Sequence, residues 1–535
     1  MALKLSNRML VHGDEALAIA ALDAGVAFGS GYPGTPSSEI LETFAQIGGH
    51  AEWAPNEKVA LETALGAAYG GARAIATMKH VGLNVAADPF FTAAYTGTAG
   101  ALVVVTADDP GMASSQNEQD NRRYAEAAGV PMLEPADAQE TYDFFFTAVE
   151  IAERWRIPVL FRMTTRVCHS KSILTRRGAP LPPPAYAFEH DRKSRVMVPG
   201  NARPAHRRLR AKLSEIAEWN EASPLNRVEA GSSELGIITS GVCYFHAREA
   251  APEASILKLG MTYPVPFRKI REFARTVRRI VVIEEGDPFL TTAIRANGVP
   301  AEGKAEMYRF CELSVERVRR ILAGDASPEP APIPGKPPSL CVGCPHRKTF
   351  EVLSKMDLIV MGDIGCYTLG VLPPYQAMDS CVCMGASIGL GLGLRHVLPE
   401  DQARRVVSVI GDSTFAHSGL TGLVEMVYNP PSTGHVVMIL DNGTTAMTGL
   451  QDHPGTGYTL RDCASGQLNY EAVAAAMGVR KVHTLGPKST TEDLENLLRE
   501  SLASNDTTLI VMRSPCLLAA RKINARKQAA APAAE

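Results

Sequence analysis

Two short apolar runs, each leading into a glycine-flanked oxygen ligand, set the strongest limit on what this chain can fold into. Val406-Val407-Ser408-Val409-Ile410 runs into Gly411-Asp412-Ser413, and Val436 to Leu440 runs into Asp441-Asn442-Gly443-Thr444. The 27 residues between Ser413 and Asp441 leave room for one helix and the next strand. Side chains that leave the ends of such strands stand where ligands gather in open α/β sheets. Asp412 offers a carboxylate oxygen, Asn442 an amide oxygen and Thr444 a backbone carbonyl, while Gly411 and Gly443 let a ligand approach the chain closely. The set suits a magnesium or calcium ion that completes its shell with phosphate oxygens; taken singly, each half is also an ordinary strand-end turn.

Composition points to a globular protein in a reducing compartment. The chain has 535 residues, room for about three domains of ordinary size, and 45% of them are hydrophobic against 21% charged. A formal charge of −3, with no dense basic helix interleaved with aromatics, gives no reason to expect nucleic acid. The Lys/Arg-rich stretch Arg203 to Lys212 reads as a solvated helix face. Met1 to Leu10 is too polar for a signal peptide, and the most apolar later run, Gly385 to Leu394, is short and glycine-rich, so no membrane span and a cytoplasmic location are expected. Ten cysteines in so long a chain are not a secreted disulfide framework, and clustered ones point to metal or redox work.

In chain order, helix-like and strand-like segments alternate, which implies an α/β protein with three doubly wound domains. The first spans 1–190. Asp14 to Ala24 reads as a helix, Ala27 to Tyr32 as a strand, and Pro33-Gly34-Thr35-Pro36 as a turn opening a helix at Ser37-Ser38-Glu39, with Pro36 at its first position. Further strands are expected at Ala101 to Thr106 and Ile157 to Met163. The loop Gly31 to Ser38 suits a ligand at a helix N-terminus, and equally a plain strand-to-helix turn. Asn56-Glu57-Lys58 opens a helix through Gly71, where Glu57 is also accounted for as a charge at the positive end of the helix dipole. A linker with a helix near Ala205 to Trp219 occupies 191–230, and a second domain 231–325 has strands at Leu235 to Thr239, Ala254 to Leu259 and Arg279 to Glu284. A proline-rich linker fills 326–339, the third domain is 340–520, and 521–535 is an Ala/Lys-rich tail expected to be disordered.

The third domain opens on Cys341-Val342-Gly343-Cys344; Cys366 follows after 21 intervening residues in Gly362-Asp363-Ile364-Gly365-Cys366, and Cys516 ends the last strand. A lone Cys-x-x-Cys is a zinc half-site, a redox pair or simply packing, and four converging thiolates suit zinc or an iron–sulfur cluster. Cys381 and Cys383 read as packing, and Cys168, Cys243, Cys311 and Cys463 show no partner pattern. His417, just after Asp412, and His453 are candidates for proton handling or substrate contact, or are structural.

The spaced Gly-Asp-Ser and Asp-Asn-Gly resemble the diphosphate-binding motif of thiamine diphosphate enzymes. Tyr32-Pro33-Gly34-Thr35-Pro36-Ser37-Ser38-Glu39, Asn56-Glu57-Lys58 and Met78-Lys79-His80-Val81-Gly82-Leu83-Asn84 resemble the pyrimidine-binding domain of indolepyruvate:ferredoxin oxidoreductase α subunits, a branch of the 2-oxoacid:ferredoxin oxidoreductases. The resemblance implies that Glu57 is the carboxyl that stands against the pyrimidine N1′ and favours its imino tautomer, with Glu62 in reserve on the same helix. It implies that Thr35, Lys79 and His80 line the reacting end, that Gly34 lies beside the cofactor, and that Ser114 to Asp120 forms an active-site loop. Thr106-Ala107-Asp108-Asp109 lacks the arginine that holds the carboxylate in pyruvate-specific relatives, which implies a larger, aryl substrate. The second domain resembles the transketolase C-terminal type, with a structural role.

In the third domain the resemblance implies a magnesium ion on Asp412, Asn442 and Thr444. Gly365, Cys366, Met384, Gly385, Gly411 and Ser413 would border the cofactor, with Gly385 to Gly393 packed beneath it, and His417 would act in catalysis. Cys341, Cys344, Cys366 and Cys516 would hold one [4Fe-4S] cluster. The implied reaction is oxidative decarboxylation of indolepyruvate or phenylpyruvate to an arylacetyl-CoA, with coenzyme A as co-substrate. A smaller β/γ-type subunit in a dimer of heterodimers and ferredoxin or another electron acceptor are the implied partners. Family members continue into a ferredoxin-like domain with two Cys-x2-Cys-x2-Cys-x3-Cys-Pro runs; this sequence has none, so onward electron transfer is expected to use another subunit or another acceptor. The alternatives are a non-oxidative thiamine decarboxylase or carboligase, and a non-enzymatic relative.

Overall fold

The computed structural model describes residues 5–178, 180–330, 335 and 337–530, with side chains through 526. Contacts divide it into two compact units, Met1–Pro330 and Ala331–Glu535.

The first unit is built on two main sheets. One has seven strands in the order Met261–Tyr263, Met132–Leu133, Val159–Thr164, Leu102–Asp108, Ala74–Lys79, Phe28–Gly31, Ala51–Trp53. All its pairs are parallel except the first, which is antiparallel. Leu102–Asp108 is buried along its whole length, as its unbroken apolar run requires of a central parallel strand. The helix Ala138–Trp155 starts where the Asp137 carboxylate accepts from the Glu140 N–H (2.8 Å) and buries Phe145, whose ring meets Phe161 of the sheet edge-on. Arg8–His12 pairs antiparallel with Lys171–Thr175 as a separate ribbon.

The second sheet has the order Arg279–Ile283, Ser232–Ser240, Ala254–Leu259, Arg227–Glu229, parallel but for the last pair. Ile237, Ile256 and Val281 belong to one buried cluster with the helices Cys243–Ala250 and Val315–Leu322. Their neighbours Ile238, Leu257 and Val282 belong to another with Phe267–Ala274 and Phe289–Ala296, so both faces are covered. Residues 191–230 do more than link: Pro199–Glu221 is helical, its buried Asn220 amide donates to the carbonyls of Met261 and Pro264 (3.1 and 2.8 Å), and Arg227–Glu229 is an edge strand. Arg122 joins the two sheets, its buried guanidinium bonded to Asp120, to Glu284 (2.8 Å) and to the carbonyls of Glu285 and Asp287.

The second unit has one five-stranded sheet, all parallel, in the order Ile359–Met361, Val406–Gly411, His435–Asp441, Thr507–Arg513, Lys481–Leu485. Val407, Val409, Met438 and Ile510 face the helices His346–Lys355 and Thr491–Ala503. Ile410, Val437, Ile439 and Val511 face Ala386–Val397, Leu420–Tyr428 and Tyr470–Met477. The sequence-based expectation of a disordered tail is corrected here: Ala520–Ala530 is a helix. Lys522 and Arg526 pair with Asp452 (2.8 and 2.7 Å), and the Arg526 guanidinium lies 3.9 Å from the Tyr458 ring centroid, contacts that a bare Ala/Lys composition does not reveal. Residues 531–535, and 331–334 and 336 of the proline-rich linker, lie outside the described residues.

Glu285 is buried beside this junction of sheets, and burial pushes its carboxyl up to about 7, against the opposing Leu313 N–H donor. A carboxyl raised on folding stabilises below its unfolded value near 4.5 and loses that contribution as pH rises to about 7. Glu285→Gln is therefore expected to remove this slope and to gain about 3 kcal/mol at pH 8 in denaturant unfolding, with no gain at pH 4.

Candidate active site

In the first unit, Asn56 caps the helix Glu57–Tyr69 by accepting from the Val59 N–H (2.9 Å), and this places Glu57 in its first turn, 4% exposed. The carboxyl lies against Gly82: a Cβ there would sit 2.6 Å from Glu57 Oε1. Lys79, at the end of the neighbouring strand, packs its methylenes over Gly34 and donates to the Ser114 carbonyl (2.9 Å). Burial lowers the Lys79 pKa against the raising effect of the Asp109 and Glu57 carboxylates, which flank it. Glu57, Lys79 and Gly34 are thus brought together. Thr35 is half-buried, its carbonyl accepting from the Ser114 hydroxyl (3.4 Å). His80 is fully buried, Nε2 3.0 Å from the Asn117 carbonyl oxygen, and its own carbonyl accepts from Gln119 and Asn121. The Ser114 to Asp120 loop is therefore fastened to both Lys79 and His80.

Two expectations are corrected. Glu62 is exposed and paired with Lys58, so it is not a second buried carboxyl. The helix after Gly34-Thr35-Pro36 begins at Ser38, and the Gly34 N–H donates to the Ser38 hydroxyl (2.9 Å), so Pro36 precedes the helix.

Asp109, which the sequence offered only as a missing arginine, organises the loop: it accepts from the Ser114 N–H (2.9 Å) and from the hydroxyls of Ser115 (2.6 Å) and Thr165 (3.0 Å). Burial would raise its carboxyl, but these donors hold it below the usual carboxylate range. Gly82 was also missed, although a glycine inside so short a helix was the available signal.

In the second unit the parallel register sets Gly411 opposite Leu440, so Asp412 and Asn442 leave adjacent strand ends. The Gly443 N–H, at φ +71°, donates to Asp412 Oδ2 (2.8 Å), and the Thr444 N–H donates to Asn442 Oδ1 (3.0 Å). Burial opposes charge on Asp412, yet the His453 imidazole, with Nε2 3.2 Å from Oδ2, and the backbone donors hold its carboxyl below the usual range. Gly411 is needed because a Cβ would stand 2.7 Å from the Tyr367 ring. His417 is buried within a turn of π-helix, Nδ1 2.7 Å from the Ser418 hydroxyl. Gly385 caps the helix Ala386–Val397 at φ +87°, half-buried like Met384 before it.

Asp363, not singled out in the sequence, ties this loop together: its buried carboxylate accepts from the N–H groups of Ile364, Gly385 and Ser387 (2.9, 2.8 and 3.0 Å). His346 is a second unforeseen neighbour, Nε2 3.3 Å from the Asn442 amide nitrogen, with burial lowering its pKa to about 4. The carboxylate, amide and carbonyl oxygens present fit a hard divalent ion.

Cys341, Cys344, Cys366 and Cys516 share one neighbourhood: burial, then the thiols of Cys344, Cys516 and Cys341, push the Cys366 thiol up to about 11. The Cys516 N–H donates to the Asn442 carbonyl (2.9 Å), and Cys344 to Cys341 (3.0 Å). Cys383 is exposed, so packing does not account for it as the sequence suggested, while Cys381 is half-buried with its thiol 3.7 Å from the Asp363 carbonyl oxygen.

Residues 19–179 match the family model described as pyruvate flavodoxin/ferredoxin oxidoreductase, thiamine diP-bdg, and residues 363–512 match the thiamine pyrophosphate enzyme, C-terminal TPP binding domain. Indolepyruvate oxidoreductase subunit IorA of Methanothermobacter thermautotrophicus is 39% identical, covering 98% of this chain and 89% of that protein. The subunit of the same name from Archaeoglobus fulgidus is 36% identical over 96% and 87%. The structure of 2-oxoglutarate:ferredoxin oxidoreductase from Magnetococcus marinus superposes with a TM-score of 0.52 at 18% identity, over 60% of this chain and 65% of that one, a likeness of fold.

Gly82→Ala puts a methyl group into the space of the Glu57 carboxyl. It is expected to lower thiamine diphosphate-dependent turnover on the order of 10–100-fold while leaving the far-ultraviolet circular dichroism unchanged.

Proposed function

We propose, for a chain that belongs to the IorA subunits of indolepyruvate oxidoreductase, that it is the catalytic subunit for oxidative decarboxylation of aryl-2-oxoacids, indolepyruvate or phenylpyruvate, to arylacetyl-CoA and carbon dioxide. The observation that carries this reading is the buried Glu57 carboxyl seated on a glycine, in a segment that matches a thiamine-binding model. Thiamine diphosphate, when bound, supplies a nucleophilic carbon that adds to the keto group and takes up the electron pair left by departing carbon dioxide.

The chain's own residues prepare that chemistry. Glu57 holds a proton at the pyrimidine N1′, and Gly82, with no side chain, leaves the space that its carboxyl fills. Lys79 and the Ser114 to Asp120 loop border the reacting end together with Thr35 and His80. Asp412, Asn442 and the Thr444 carbonyl would hold magnesium, which supplies charge neutralisation for a diphosphate. Gly365, Cys366, Met384, Gly385, Gly411 and Ser413 would border the cofactor, and the buried His417 would serve proton transfer. Cys341, Cys344, Cys366 and Cys516 would hold a [4Fe-4S] cluster, which supplies one-electron transfer. The two electrons released per substrate go to ferredoxin or another acceptor, and coenzyme A takes the acyl group. The Asp108-Asp109 strand end supports a larger substrate: Asp108 is paired with Arg162 (2.7 Å), so that arginine is not offered to a small carboxylate. A smaller β/γ-type subunit, a dimer of heterodimers and a cytoplasmic location complete the proposal. No helix among the described residues is long and apolar enough to cross a membrane.

Glu57→Gln is expected to reduce turnover about 10²–10⁴-fold with thiamine diphosphate binding retained, as calorimetric titration would show. Protein purified anaerobically with its partner should contain about four irons per chain, with content falling in Cys344→Ser and Cys516→Ser. An iron-free protein that still binds thiamine diphosphate and releases an aldehyde would overturn the oxidative reading in favour of a decarboxylase or carboligase.

A further inference from the structure

The first unit holds a second cluster of ionisable side chains, outside the residues assigned above. Asp14, Glu39 and His169 present ligand atoms that all lie within 4.8 Å of one another. Three helices deliver them: Gly13–Asp23, Ser38–Gln46 and Thr165–His169. Gly13 permits the approach, since a Cβ there would stand 2.2 Å from the Val167 carbonyl oxygen and drive the first helix off the segment that carries His169.

Asp14 is fully buried, and no N–H or O–H group donates to its carboxylate among the described residues, the weak Cys168 thiol being the one donor against it; Glu39 Oε2 has no partner. A carboxylate that deep and with so weak a donor is strongly disfavoured unless a cation or a proton sits on it. The Cys168 thiol borders Asp14, and the His12 imidazole borders Glu39 and His169, so nitrogen and sulfur donors surround the group. Lys171 is a competing cation on the His12 side.

We propose that Asp14, Glu39 and His169 bind a divalent first-row transition ion of the zinc type. Two carboxylate oxygens and an imidazole nitrogen match that class better than magnesium or calcium, which prefer oxygen alone, and the exposed His169 leaves a solvent side for a fourth ligand. The ion would fasten the helix that follows the Gly34 to Ser38 loop, because Glu39 is next to Ser38, whose hydroxyl accepts from Gly34. Binding itself is independent of the reaction proposed above; only its effect on the Thr35-bearing loop rests on that reading.

The test uses the full chain with its partner, comparing wild type, His169→Ala, which removes an exposed ligand without disturbing the core, and Glu39→Gln. Equilibrium dialysis against zinc should show one more saturable site per chain in wild type than in either variant, with equal iron in all three. Zinc should raise the thermal midpoint of wild type more than that of the variants. Equal zinc stoichiometry and equal thermal response in all three would overturn the proposal and leave a proton shared by Asp14 and Glu39, with any bound zinc on the cysteines.

Discussion

The covering of both sheet faces by helices is the constraint on which the rest of this structure depends. In the second unit, Val409 and Ile410 point into different buried clusters, so neither face of their strand is open to a polar ligand. The candidate ligand groups Asp412 and Asn442 leave the sheet at its carboxyl edge, where the register sets Gly411 beside Leu440. The candidate site of the first unit lies at the same edge. Leu102–Asp108 is buried throughout, Lys79 lies opposite Ala107, and Gly31 lies opposite Thr77, so Lys79, Asp108 and the Gly34-Thr35 loop emerge from three adjacent strands.

Backbone donors and partner charges then decide what those emerging groups can do. Asp412 and Asp109 are both buried enough to resist ionisation, yet each stays charged because N–H, hydroxyl or imidazole groups converge on it. Asp363 accepts three backbone N–H donors and burial still raises its pKa, which suits a residue that positions chain rather than ligand. Within the first unit, the Arg122 guanidinium answers Asp120 and Glu284 at once, so the two sheets are joined by charges that neither could bury alone.

Most of this architecture was legible in residue order. The runs at Val406 and Val436 have no polar alternation and turn into glycine-flanked acids, a pattern that fixes strand, direction and edge together. Asn56 before Glu57 announced a helix start, and the structure keeps it. What escaped depends on partners distant in sequence. Met261–Tyr263 is too short to declare itself a strand and becomes one only by pairing with Met132–Leu133. The helix at Ala520–Ala530 is held by Asp452 and Tyr458, more than fifty residues earlier. Gly82 has meaning only once the Glu57 carboxyl is seen against it.

The strand order of the second unit also governs when it can form. Thr507–Arg513 lies between His435–Asp441 and Lys481–Leu485, and both of those strands are made before it. A chain emerging from the ribosome at about 5–20 residues per second therefore holds two unjoined strand edges until residues 507–513 appear. Seven of the ten cysteines lie in this unit and none of them is fully buried there, so closing the sheet does not by itself shelter its thiols.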